Sequence, residues 1–313
     1  MTHQDGPQLE SVLRDDLAHG DVVIGTIAPI LGHLLANHDN ALFSDEIVAR
    51  VRGMVASLAA EIVRAEAKHG DHREDEAVTI TDEADLAARL SAIDDLLVHC
   101  HALALEWQLA LRFERRIGLD PSLSPLLQEL IASQDTAIAS GAMQTLTAQA
   151  RFMQTQRRME LPLQELPGDL FHAVLVSWRE LAGEDNPDCD RAELALREAY
   201  DESESRLGLL ARLVASMGSG ARAALSVGHA GVALFATTLA RLSEQPRSTA
   251  ILSTTDRQFA RLALSLRAAG LKPLEIEEQF LNFHPDIDLP ESFDTLRIDT
   301  ARGLLAEAGP TGD

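Results

Sequence analysis

The 313 residues hold two cysteines, one tyrosine and two lysines, Lys68 and Lys272. Cys100 and Cys189 lie far apart and outside any paired spacing, which excludes a disulfide framework or a zinc-ligand set built on cysteine. With two lysines there is little scope for a Gly-rich phosphate loop of the Gly-Lys-Ser/Thr kind. Long apolar runs are also lacking. The longest, residues 22–36, is interrupted by Gly25, Pro29, Gly32 and His33 and falls short of the ~20 residues that span a bilayer. Base is scarce as well: 27 Lys and Arg face 49 Asp and Glu, a formal charge of −22. That balance opposes binding to bare nucleic acid and favours a basic partner. The first ten residues are polar, without an apolar signal-peptide core, so the expected compartment is the cytoplasm.

What is abundant is alanine and leucine, together roughly 30% of the chain, against ordinary usage well below that. Both favour helix, Ala because it loses no rotamer entropy and Leu because it loses little. The residues that suit a pleated sheet are comparatively sparse, and no segment alternates at period two over strand length. The expected fold is all-α, a multi-helix bundle or an irregular α-solenoid-like stack of helical pairs. The expected organisation is an N-terminal lobe over residues 1–118, with a polar loop near 68–80, and a C-terminal lobe over 119–313.

Start and stop signals divide the chain. A first helix over 8–18 is expected to stop at Gly20, and Pro29 to interrupt or reopen the following apolar run. Ser44-Asp45-Glu46 reads as an N-cap with acids in the first turn. Ile47, Val51, Met54, Val55, Leu58 and Ile62 then recur at helical spacing up to a stop near Gly70. Residues 68–77 read as a mobile polar loop. From Thr81 a helix is expected to run unbroken to Ile117, closed by a left-handed cap at Gly118. Helices are expected over 125–133, 136–159 and 168–182, with an acidic loop over 183–190. One apolar stripe is expected from Leu196 through Tyr200 and Leu207 to Val214. Short helices punctuated by glycine and proline follow.

Three segments share a pattern of Leu or Ile, Leu, two variable residues, Leu, a branched aliphatic and Ala: residues 29–39, 125–135 and 209–216. Phe171, Val174, Ser177 and Arg179 are matched by Phe259, Leu262, Ser265 and Arg267. Such repeats suggest stacked helical pairs that bury their faces against neighbours. In the C-terminal third, residues 224–235 (Ala-Leu-Ser-Val-Gly-His-Ala-Gly-Val-Ala-Leu-Phe), 239–243 and 262–271 (ending Arg267-Ala-Ala-Gly-Leu271) resemble the bacterial helical proteins of domain of unknown function 2336. The resemblance implies a helical-repeat-like fold and no catalytic residue.

Chemically, Asp95, His99 and Glu106 fall on one helix face at spacings of four and seven, an arrangement in which a His between carboxylates acts as base, ligand or phosphoryl acceptor. His99-Cys100-His101 cannot share a metal unaided, because adjacent positions diverge on a helix. Glu66-x-x-His69 matches half of a di-iron element, but a second element is lacking, and it reads as a solvated helix end. Asp188-Cys189-Asp190 lacks the Gly and Glu of a calcium loop. Gly218-Ser219-Gly220 has no preceding strand and is no nucleophile elbow. No metal or cofactor is expected. Arg112, Arg115 and Arg116, the pair Arg157 and Arg158, and Arg257 with Arg261 are candidate contacts to an anion or an acidic partner. Phe280, Phe283 and Phe293, around His284-Pro285 and Leu289-Pro290, can cap the end of a helical stack or cover a groove, capping being the default since an exposed apolar tail invites aggregation. The functional expectation is a non-enzymatic scaffold or regulatory adaptor binding another protein, the acidic charge favouring a basic one, with no nucleic acid or membrane partner. The alternative is an α-helical enzyme or small-ligand receptor with its site near Asp95, His99 and Glu106.

Overall fold

A computed structural model describes residues 5–36, 45–69, 81–183, 186–255, 258–290 and 292–308. Among these the fold is all-α, with fifteen α-helices, short 3₁₀ turns and no strand. The chain divides into two compact units. One comprises residues 1–27, 105–146 and 210–313; the other comprises 28–104 and 147–209. Each is thus assembled from separate stretches of chain, and the units do not part at residue 118.

The unit holding 28–104 and 147–209 is organised on α3 (Asp45–His69), whose Ile47, Val51, Met54, Val55, Leu58 and Ile62 are buried along one stripe. That stripe packs against α4 (Glu83–Leu90) and α9 (Pro187–Ala199), while α8 (Gly168–Ala182) packs against the same two helices. Some of its buried polar groups pair across helices. Glu66, 1% exposed, accepts from the backbone N–H of Thr81 at 3.3 Å and from Asn186 Nδ2 at 3.4 Å. Buried Trp178 donates its indole N–H to Thr81 Oγ1 at 3.2 Å. Glu66 is therefore a buried anchor and not the solvated helix end expected for it, and Thr81 serves these contacts while Asp82 caps α4.

The other unit is centred on α11 (Val227–Ser243), which is buried along most of its length. It contacts α6 (Pro125–Ile131), α12 (Arg247–Leu252) and α13 (Phe259–Ala268). Gly231, at φ 73 and ψ 163, kinks α11, and an added Cβ there would sit 3.0 Å from Ser124 Cβ. α1 (Asp5–Gly25) and α15 (Ile298–Glu307) pack on α13. The Phe283 ring lies 5.5 Å from Phe113, edge-on, and 5.2 Å from Phe235. All three tail aromatics are buried, and Phe283 packs on both of these rings.

Several boundaries depart from the sequence expectation for local reasons. α1 continues through Gly20 because that residue is buried against Gln258, whose Nε2 donates to Gly20 O at 2.6 Å. The expected 81–117 helix breaks at 91–93, where Ser91 Oγ donates back to Ala87 O at 2.8 Å; α5 (Asp94–Ile117) restarts beyond. The stripe from Leu196 to Val214 is also interrupted. Tyr200 stacks on Phe171 at 4.0 Å and donates to Leu166 O at 2.8 Å, so α9 ends there and α10 (Arg206–Ser216) is separate. Pro187 to Asp190 form the first turn of α9, capped by Asn186, and not a loop. α2 (Ile27–Ala36) carries Pro29 in its first turn, α7 (Thr136–Arg157) ends two residues short of expectation, and Gly118 closes α5 at φ 69. The polar loop expected over 68–77 lies, beyond His69, outside the described residues, as does the Ser44 cap.

Candidate functional site

The residues singled out by helical phase do not form one site. Asp95, His99 and Glu106 all lie on α5, but Asp95 is exposed in its first turn and His99 is half-buried. Eleven residues at 1.5 Å each place Glu106 about 16 Å along the axis from Asp95, too far for one small substrate to touch both. Glu106 is also committed elsewhere. It is 1% exposed and accepts from Arg247 through both oxygens, at 2.8 and 2.9 Å, while Arg247 Nε donates to Thr237 Oγ1 at 3.0 Å. His101, beside them in sequence, is buried, and loss of hydration holds its pKa down at about 4. Burial pushes the Cys100 thiol up to about 12. Among the described residues no three His, Cys, Asp or Glu come together as a metal site.

The arginines separate into different roles. Arg112 is exposed and its guanidinium lies 6.0 Å from the Phe113 ring centroid. Arg115 donates to Leu111 O at 3.2 Å and Arg116 to Asn282 O at 2.9 Å. Arg261 is not a surface group. It is 2% exposed, pairs with Asp21, and donates to Gln245 Oε1 at 3.0 Å and Ala308 O at 3.1 Å, joining α1, α13 and the end of α15. Its partner Arg257 lies outside the described residues.

A different feature emerges at the C-terminal end. α14 (Pro273–Phe283) buries Ile276, Gln279, Phe280 and Phe283. Gln279 Oε1 accepts from the backbone N–H of Val227 at 2.9 Å, fixing α14 to the start of α11. About 150° round the helix from Ile276, by the 100° advance per residue, Leu274 and Leu281 are 79% and 52% exposed. The returning chain stands alongside α14. Ser292 adopts a left-handed conformation at φ 67, and a 3₁₀ turn over Phe293–Thr295 follows. Arg267 holds this turn, donating from Nε to Leu296 O at 2.6 Å and from NH1 to Leu271 O at 2.9 Å.

Between α14 and the returning chain runs a groove of about 600 Å³. Leu274 and Leu281 stand on one side and Ile287, Leu289 and Phe293 on the other. All its charged lining residues are acidic: Glu277, Asp288 and Asp294. Phe280 and Phe293 line this groove. The sequence carried a signal for it. Leu274 and Leu281 recur at i, i+7 outside the phase of the buried stripe, which gives α14 a second apolar row.

Comparison with protein-family models, curated proteins and solved structures returns no match. The resemblance of residues 224–235, 239–243 and 262–271 to domain of unknown function 2336 therefore rests on those residues alone.

Proposed function

We propose that the protein is a non-enzymatic adaptor that binds a basic amphipathic segment of another protein through the groove beside α14. The observation that carries this reading is the pairing of two exposed leucines one heptad apart with a wholly acidic set of charged lining residues. A helix laid in such a groove presents apolar anchors at i, i+3 or i+4, and i+7. Lysine or arginine on its flanks complements Glu277, Asp288 and Asp294 and speeds encounter with a chain of charge −22. Exposed apolar surface flanked by polar residues is the usual mark of an interaction site. The enzyme or receptor reading has less support, since Asp95 is exposed and Glu106 is consumed by an ion pair.

The test uses a synthetic Lys/Leu amphipathic peptide, a scrambled peptide of the same composition and a Glu/Leu counterpart. The amphipathic basic peptide is expected to bind, the other two to bind at least tenfold more weakly. Leu274→Asp/Leu281→Asp separates the explanations. It adds negative charge, so diffuse attraction would strengthen, whereas docking in the groove weakens. Equal binding of scrambled and amphipathic basic peptides, or undiminished binding by the double variant, would overturn the reading.

A further inference from the structure

A second concavity lies wholly within the unit formed by residues 28–104 and 147–209, away from the residues used above. It is a cleft of about 240 Å³ bounded by the second half of α7, the turn around Leu161–Glu165 and the start of α10. A cavity of about 150 Å³ is enough to hold benzene, so this one has room for a ring and a head group.

Its charge runs against that of the chain. The lining carries three arginines, Arg151, Arg158 and Arg206, against one carboxylate, Glu165, in a protein with 49 acids and 27 bases. Arg206 is built into the wall. It is 2% exposed, its guanidinium lies 3.7 Å over the Phe152 ring, and NH1 donates to Gln149 Oε1 at 3.1 Å. Glu165 is engaged as well, accepting from the backbone N–H of Arg206 at 2.7 Å. Arg151 and Arg158 are exposed, and Arg158 meets Glu160 through Nε at 2.7 Å.

The remaining wall is of two kinds. Leu103, Phe152, Leu161 and Leu207 supply apolar surface. Gln156 is fully buried, and its Nε2 donates to Glu160 O at 3.2 Å, but its Oε1 meets no donor among the described residues. Guanidinium groups bind carboxylate and phosphate oxygens in the same forked geometry.

We infer that this cleft binds a small organic oxyanion, a carboxylate or phosphate monoester carried on a compact ring. The oxyanion is held by Arg151 and Arg158, and the ring lies against Leu103, Leu161 and Leu207. This site goes beyond adaptor binding and does not depend on it, because the two concavities share no residue.

The experiment titrates the full chain by calorimetry or NMR with 4-hydroxybenzoate and phenyl phosphate, alongside neutral 4-hydroxybenzyl alcohol and cationic tyramine. At least one anion is expected to bind about tenfold more tightly than the alcohol and tyramine; whichever anion binds more tightly identifies the head group. Arg151→Gln/Arg158→Gln changes only exposed side chains and is expected to weaken anion binding about tenfold. Leu207→Trp, checked for folding by circular dichroism, keeps every charge but fills the cleft, and is expected to abolish binding. Failure of both anions to bind at millimolar concentration, equal binding of the neutral alcohol, or binding unchanged in the double arginine variant would overturn the inference. Those outcomes leave the peptide groove unaffected.

Discussion

Glu106 and Arg247, 141 residues apart, form a two-pronged ion pair whose carboxylate is all but sealed from solvent. The carboxylate that helical phase made a candidate catalytic group is therefore structural, fastening α5 to α12. Breaking a buried pair strands a charge, whereas replacing both partners by apolar groups is often close to neutral. Arg247→Met is expected to destabilise the protein by about 3 kcal/mol, and Glu106→Leu/Arg247→Met to recover most of that loss. Urea denaturation checks both. A cost below about 1 kcal/mol for the single variant would place the pair among surface ion pairs.

His101 sets an acid limit. Its folded pKa, about 4, lies below the ordinary 6.5 because burial disfavours the charged ring. Between these values the unfolded chain binds more protons, so the contribution is intact above pH 6.5 and lost as pH falls toward 4. The 2.5-unit difference corresponds to roughly 3 kcal/mol. Stability measured from pH 7 to pH 4 should fall accordingly, and the His101 ring should titrate near pH 4 by NMR. Titration near 6.5 would mean that the ring is hydrated.

Both cysteines are buried, and burial raises both thiols. Because the thiolate is the reactive form, an aromatic disulfide reagent is expected to modify neither cysteine in the native protein and both in denaturant. Rapid native reaction at Cys189 would show that the start of α9 opens.

Gly231→Ala tests the kink in α11. The glycine occupies a region of backbone space closed to other residues, with Ser124 Cβ at 3.0 Å from an added Cβ. A cost of about 2–3 kcal/mol is expected, read as a lowered thermal midpoint. A neutral substitution would mean that α11 straightens without penalty.

Helical class and most helix starts were legible because apolar residues at three- and four-residue spacing and polar caps act locally. α8 spans Gly168–Ala182 as its periodicity predicts, and Gly118 caps α5. The misjudged boundaries depend on distant partners. Gly20 remains helical because Gln258 packs on it, and Tyr200 ends α9 because Phe171 and Leu166 lie beneath it. The candidate site failed for a related reason. The eleven-residue spacing of Asp95 and Glu106 already implied about 16 Å along α5; that Arg247 arrives from 141 residues away to take Glu106 was not legible in it. Leu274 and Leu281 were readable as an extra row on α14. That they border a groove depends on the returning chain held by Arg267.

The central claim is tested most directly by mapping a labelled basic amphipathic peptide onto the full chain by methyl NMR. The account predicts saturable shifts concentrated at Leu274, Leu281, Ile287 and Leu289, persisting when salt is raised although affinity falls. Small shifts spread over the acidic surface and erased by salt, or shifts elsewhere with these four methyl groups unmoved, would contradict it.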